Sequence, residues 1–253
     1  MSIFWVAKNV FSEARHNKVL HIAGAFAAVL ILFSFFMGEV SLYQNVKVVK
    51  DVGMATISIF GVFVAVYLGV NTLYKELEQR TIYTIVSKPI DRYQIILGKY
   101  LGMIAVLFAV VLLMTIYLYA VLLFVEKKLD WQLLPAIALM LAEIFMVAAI
   151  AVFFSSFSSP FLSGFFTVGF FLIGRVTYEL SQFGQRSKNE FFKFFATNLQ
   201  KAFDLEAFNL RGKVAHGFTI YRDEFFYPLA YAFFFILFLL MLAFLLFRKR
   251  DLK

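Results

Sequence analysis

Apolar and polar positions divide the chain into six long apolar runs joined by polar connections: Val19 to Met37, Val52 to Leu73, Tyr100 to Val125, Leu133 to Phe154, Phe157 to Tyr178, and Phe226 to Phe247. Each is close to or above the ~20 apolar residues that a helix needs to cross a bilayer's hydrocarbon core. A membrane β-barrel would show segments of about ten residues alternating at period two, and no sustained alternation of that kind occurs. The pattern predicts an all-α membrane protein, with six transmembrane helices forming one domain over residues 1–253. The first run is longer than a signal-peptide core and starts only at Val19. It ends in SFFMGEVS without an A-x-A cleavage pattern, so it is expected to stay attached.

Composition points the same way. Hydrophobic residues make up 62% and charged residues 16% of the 253 positions, against roughly 45–50% and about 25% in soluble domains. A soluble enzyme with a basic surface is excluded, and the net charge of +8 reflects membrane topology rather than nucleic-acid binding. There is no cysteine, so disulfides and thiolate metal sites are ruled out, and the histidines His16, His21 and His216 are scattered.

Lysine and arginine in short connections are retained in the cytoplasm. With the N-terminus inside, the inner segments hold Lys8, Arg15 and Lys18, then Lys75, Arg80, Lys88, Arg92 and Lys99, then Arg248, Lys249, Arg250 and Lys253. The short outer segments hold Lys47 and Lys50, then Lys127 and Lys128, each pair offset by two acids. Both termini are therefore expected inside. The connection from Ser181 to Phe225 is placed outside despite its basic residues, because long connections largely escape the rule.

This topology makes the charged stretch from Glu76 to Gly102, ELEQRTIYTIVSKPIDRYQIILGKYLG, a cytoplasmic loop between the second and third spans. Lys75 to Val86 contains neither proline nor glycine and is expected to continue the second span inward. The sequence SKP stops it at Ser87, since the residue before Pro89 is driven out of the α region. Asp91 as N-cap, with Gln94 three residues on, forms a capping box that restarts a helix. A solvated loop does not need Ile82, Tyr83, Ile85 and Val86. They require a surface to bury against, whether a partner, the chain's own N-terminal helix or the lipid headgroups.

The loop resembles the first cytoplasmic loop of type 2 ATP-binding-cassette exporter permeases, in particular the small six-span permeases with a separate ATPase polypeptide. The resemblance rests on Glu76, Glu78, Arg80, Thr81, Lys88, Pro89, Ile90, Arg92, Leu97, Gly98 and Lys99. It implies a coupling helix over residues 74–99 that docks on the ATPase. Glu76, Glu78 and Arg80 would make polar contacts next to Thr81, and Ile82, Tyr83, Ile85 and Val86 would bury at the interface. Pro89 with Asp91 would fix the turn, beside Lys88 and Arg92. It also implies two ATPase copies, a second permease copy or sister permease, and a prokaryotic cytoplasmic membrane. ATP and magnesium would be held by the partner, with no cofactor in this chain.

The N-terminal stretch IFWVAKNVFSEARHNK places Phe4, Ala7, Phe11 and Ala14 at helical spacing, flanked by Ile3 and Val10, opposite Lys8, Ser12, Glu13 and Arg15. With Trp5, this pattern suits an amphipathic helix at the membrane interface, similar to the elbow helix of these permeases. In the outer connection, Phe191, Phe192, Phe195, Leu199, Ala202 and Phe203 follow the helical period. The resemblance makes that helix part of a cap over the outer mouth. Lys193 and Lys201 would meet headgroups or be solvated.

Two ionisable residues fall within spans. Glu143 lies near the middle of the fourth, where a charge costs at least ~2.5 kcal/mol unless it is paired or wetted. Arg175 in the fifth is a candidate partner, with Glu179 or outward snorkelling as its alternatives. Gly61, Ala65 and Gly69 put small residues on one face of the second span, for close packing or for a dimer or gate contact. No GxxxxGK[ST] loop is present, so the chain is not expected to hydrolyse nucleotide. Intramembrane proteolysis is disfavoured because no span carries aspartate and Ser163 has no histidine at its depth. Two function classes stand: an energy-coupled permease, or a membrane component carrying an ATPase's motion to an extracytoplasmic partner without transport. A secondary carrier would need more intramembrane charge than Glu143 and Arg175 supply.

Overall fold

The computed structural model describes residues 2–16, 45–78, 92–127, 130–187 and 189–249, with isolated helical positions from Ile22 to Phe36. Secondary structure among the described residues is entirely helical. The elements are α1 (Ser2–His16), α2 (Asn45–Glu78), α3 (Arg92–Glu126), α4 (Leu133–Ser155), α5 (Pro160–Arg186), α6 (Glu190–Ala202), a 3-10 turn (Glu206–Phe208), α7 (Arg211–Ala215) and α8 (Arg222–Lys249). Five of them, α2 to α5 and α8, are long and apolar enough to cross a membrane. The expected first span, Val19 to Met37, lies largely outside the described residues.

Several helices outrun the apolar runs that announced them. Helix α2 begins at Asn45 rather than Val52, whereas α3 begins at Arg92, eight residues before its apolar run and where the restart after Asp91 was expected. Backbone hydrogen bonding continues through polar residues, so apolar content marks the part that can sit in lipid and not the helix ends. The fifth run is displaced the other way. Phe157 and Ser158 are in a turn, and α5 starts at Pro160, where the missing N–H falls among donors already without helical partners. It then continues past Tyr178 to Arg186.

Helix α4 forms the spine of the bundle, with Leu139, Met140, Ile144, Val147, Ala148 and Ala151 all buried. Helix α2 lies close against it. A Cβ at Gly61 would run into Ile144 and one at Gly69 into Ala151, and Ala65 is buried between them. The small-residue face is thus spent inside the chain, and Ser155 Oγ donates to the Gly69 carbonyl at 3.2 Å. Tyr100 ties α3 to α4 through a 3.0 Å hydrogen bond to the Phe145 carbonyl. Helix α1 packs on α3, where a Cβ at Gly102 would come within 2.7 Å of the Ala7 carbonyl oxygen. Its buried residues are Val10 and Ala14, whereas Phe4 and Trp5 are exposed.

Helices α5 and α6 form a hairpin at the end of the bundle that also holds Asp130. Asn189 caps α6 by accepting from the Phe191 and Phe192 amides, and the close approach at Gly184, where an added Cβ would lie 2.9 Å from the Ala196 Cβ, sets which face turns inward. That face is centred on Ala196. Phe191 and Phe195 of the expected stripe are 77% and 51% exposed, so the stripe is displaced by about one position.

Candidate functional site

Of the residues that the loop resemblance singles out, Glu76 and Glu78 fall in the last turn of α2 and Arg92 opens α3. Arg80, Thr81, Ile82, Tyr83, Ile85, Val86, Lys88, Pro89 and Asp91 lie outside the described residues. Lys99, on the same side of the chain, is buried in the bundle.

The two intramembrane charges meet. Glu143 on α4 has a fully buried side chain (0% exposed), and its Oε2 accepts from Arg175 Nη2 on α5 at 2.8 Å. The same nitrogen donates to Ser58 Oγ on α2 at 3.2 Å. Nη1 reaches Glu206 Oε2 in the 3-10 turn at 3.3 Å, and the guanidinium lies 5.6 Å from the Phe171 ring centroid. Asn209 Nδ2 steadies Glu206 by donating to its Oε1 at 2.6 Å. A planar guanidinium presents several fixed donors at once, and here it joins three spans to the connection between α5 and α8. Glu143 Oε1 meets no donor among the described residues.

Glu206 reaches this depth because its segment re-enters the bundle. Asp204 Oδ1 caps the 3-10 turn by accepting from the Glu206 and Ala207 amides at 3.0 and 3.3 Å. The Leu205 amide donates to the Gly174 carbonyl of α5 at 3.1 Å. Gly174 permits that contact, since a Cβ there would come within 2.7 Å of the Phe203 and Leu205 side chains. Phe203, Leu205 and Phe208 are all buried. Further acid–base pairs stand nearer the Asp130 end, with Arg211 Nε 4.0 Å from Asp51 Oδ1 and Lys50 Nζ 2.8 Å from Asp130 Oδ2.

Sequence reasoning paired Glu143 with Arg175 but missed Glu206 and Ser58. Nothing in the pattern singles out Glu206 among the five acids of the connection from Ser181 to Phe225. The available signal was the apolar run Phe203, Leu205, Phe208 and Leu210, which an aqueous loop does not need.

Beside the cluster, α2 and α5 diverge to leave a groove of about 680 Å³. Its walls are almost wholly apolar, with Ile59, Phe63 and Tyr67 on α2 and Phe161, Phe165 and Val168 on α5. It runs from Asn71 and Pro160 to Phe171 and Leu172. Phe171 is thus shared, lining the groove and stacking beneath Arg175.

Residues 4–252 match the family described as ABC-2 family transporter protein. No curated protein matches the chain.

Proposed function

We propose that this chain, which belongs to the ABC-2 family of transporter proteins, is the permease subunit of an ATP-binding-cassette exporter whose ATPase is a separate polypeptide. The observation that carries this reading is the family match over nearly the whole chain. Helix α2 adds support. It runs unbroken from its packing against α4 to Glu78, at the head of the charged segment that resembles a coupling loop. A push on that segment would enter the bundle through one continuous helix.

On this reading the chain is multi-pass, with six spans, both termini cytoplasmic and α1 as the elbow helix, in a prokaryotic cytoplasmic membrane. Two copies, or one with a sister permease, pair with two ATPase subunits that bind ATP and magnesium. The chain itself has no catalytic role. The apolar groove between α2 and α5 suits lipidic or amphipathic cargo. The same dryness also supports the alternative, a component that transmits ATPase motion to an extracytoplasmic partner. Stimulation of the complex's ATPase by added lipid or amphiphile distinguishes transport from transmission.

The first test is co-purification. The chain should bring down a separately encoded ATPase, and Tyr83→Asp or Val86→Asp should abolish that association while leaving the permease monodisperse. If the variants bind the ATPase normally, or no ATPase accompanies the chain, the coupling reading fails.

A further inference from the structure

Between the end of α6 and the first turns of α8 lies a cavity of about 280 Å³ that shares no residue with the α2–α5 groove. Its lining carries both signs of charge, Lys201 in the last turn of α6 and Asp204 just beyond it, beside Gln200 and the rings of Tyr227 and Tyr231 on α8. Both tyrosines fall within the first three turns of the membrane-crossing stretch Arg222–Leu246. The cavity therefore stands where α8 passes from water into lipid, the level that tyrosine favours. We propose that it binds the headgroup of a zwitterionic phospholipid, with Lys201 on the phosphate and Asp204 on the ammonium. Such a site requires only that α8 cross a membrane, and neither an ATPase nor a cargo.

Each half of such a headgroup finds bonding capacity left over to meet it. Asp204 Oδ1 accepts from the Glu206 and Ala207 amides at 3.0 and 3.3 Å, and Oδ2 from Gln200 Nε2 at 3.3 Å. A carboxylate offers about four acceptor sites, so Oδ2 keeps one for a further donor. The carbonyl end of α6 adds partial negative charge, and the Tyr231 hydroxyl, donating to the Ala202 carbonyl at 2.9 Å, fixes one aromatic ring against that end. Carboxylate and rings together suit an ammonium. Lys201 forms no ion pair among the described residues, which leaves its charge for a phosphate oxygen. A purely anionic headgroup would set its charge against Asp204, and a lone cation would meet Lys201; a group carrying both signs satisfies the two. The adjoining surface of α8 supplies a place for the tail. Tyr227, Tyr231, Phe234 and Phe238 follow the i, i+4, i+7, i+11 spacing of one helix face, and Phe234 and Phe238 are exposed. A polar cavity leading onto an apolar strip has the outline of an amphiphile rather than of a soluble ion.

The test is native mass spectrometry of the full chain in detergent, delipidated and titrated with phosphatidylethanolamine or phosphatidylglycerol of the same acyl chains. Phosphatidylethanolamine should bind about tenfold more tightly, the scale of one charge-assisted hydrogen bond. Asp204→Asn keeps a carbonyl oxygen for the turn and should erase that preference without weakening phosphatidylglycerol. Lys201→Gln should weaken both lipids about tenfold, whereas Lys193→Gln, on the same helix but outside the cavity lining, should weaken neither. Tyr227→Leu alters a side chain that is 75% exposed, so the fold is not at stake, and should weaken phosphatidylethanolamine about threefold through the lost ring. Equal affinity for the two lipids in the native chain overturns the site, as does native affinity in both Asp204→Asn and Tyr227→Leu. A loss in Lys193→Gln matching that in Lys201→Gln also overturns it, since headgroups would then be held by diffuse charge alone. Glycerophosphoethanolamine, which has the headgroup without the tails, should displace the lipid only at far higher concentration. Displacement at equal concentration overturns the lipid and assigns the cavity to a soluble zwitterion. Because these titrations need no ATPase, their failure is distinct from failure to co-purify one.

Discussion

Arg175→Met should be the most damaging single change in the charge cluster, and markedly worse than Glu143→Gln. Arg175 is the one described cation within ion-pair distance of Glu143, whose side chain is 0% exposed. Deleting one member of such a buried pair costs about 3–5 kcal/mol, because the remaining charge is left uncompensated. The reverse deletion is milder. In Glu143→Gln the guanidinium keeps Glu206 at 3.3 Å and still finds a carbonyl acceptor in the new amide. That change should cost about 1–2 kcal/mol, near the value of one charge-assisted hydrogen bond. The double variant removes both central charges and should return to within about 1 kcal/mol of Glu143→Gln, so the two changes are strongly non-additive. The assay is unfolding kinetics in detergent followed through Trp5 and Trp131. If the loss falls on the unfolding barrier, Arg175→Met should unfold roughly two to four orders of magnitude faster than native, as about 3–5 kcal/mol implies. Equal rates for the two single variants, or a double variant that unfolds faster than Arg175→Met, would falsify the assignment of Arg175 as the compensating charge.

Two further predictions concern packing away from the cluster. Gly102→Ala places a methyl 2.7 Å from both the Ala7 carbonyl oxygen and the Val10 Cβ; α1 must retreat, at about 1–3 kcal/mol of overpacking. Proteolysis of residues 2–16 should accelerate, and unaltered protection of α1 would refute the close contact. Asp130→Asn removes the anion bonded to Lys50 at 2.8 Å, whose side chain is 8% exposed. It should cost about 1–3 kcal/mol, and Lys50→Met added to it should recover part of that loss; a purely additive double variant would show that the pair is not coupled.

The helical class and the five helices long and apolar enough to cross a membrane were legible because runs of apolar residues are long and uninterrupted. Helix ends were less so. Nothing apolar announces that α2 starts at Asn45, and the Pro160 start of α5 is a local turn inside a run that looks continuous. The Glu143–Arg175 pair could be named because charges in spans are few and must find each other. Glu206 could not, since its depth is decided by a tertiary contact: the Leu205 amide donates to the carbonyl of Gly174 in α5, where a side chain would block the approach. The facing of α6 failed for a related reason. In a helix with phenylalanines on several sides, period alone cannot choose a face, and the Gly184–Ala196 approach does.

On the permease reading proposed above, that same packing determines where motion entering through α2 would be expressed. Gly61 and Gly69 receive Ile144 and Ala151 of α4 so closely that a methyl would not fit, and Ser155 bonds across the contact. Interlocked surfaces of this kind do not slide by small amounts, because packed interiors resist continuous deformation. Helices α2 and α4 should therefore move together. Helix α4 buries alanine, leucine, methionine, isoleucine and valine along its length, whereas the buried positions of α5 are the small or polar Ser163, Thr167, Gly174, Thr177, Ser181 and Gly184, so α5 is held by less apolar packing. Relative motion then concentrates between the α2–α4 unit and α5, which is where the groove lies and where Arg175 bonds to Ser58 and Glu143. Widening Gly69 to leucine should loosen the α2–α4 unit and let α2 move alone. In a complex with the ATPase, that variant should hydrolyse ATP while leaving amide hydrogen exchange in residues 203–210 insensitive to ATP. If that segment responds as in the native chain, the force reaches α5 without passing through α4.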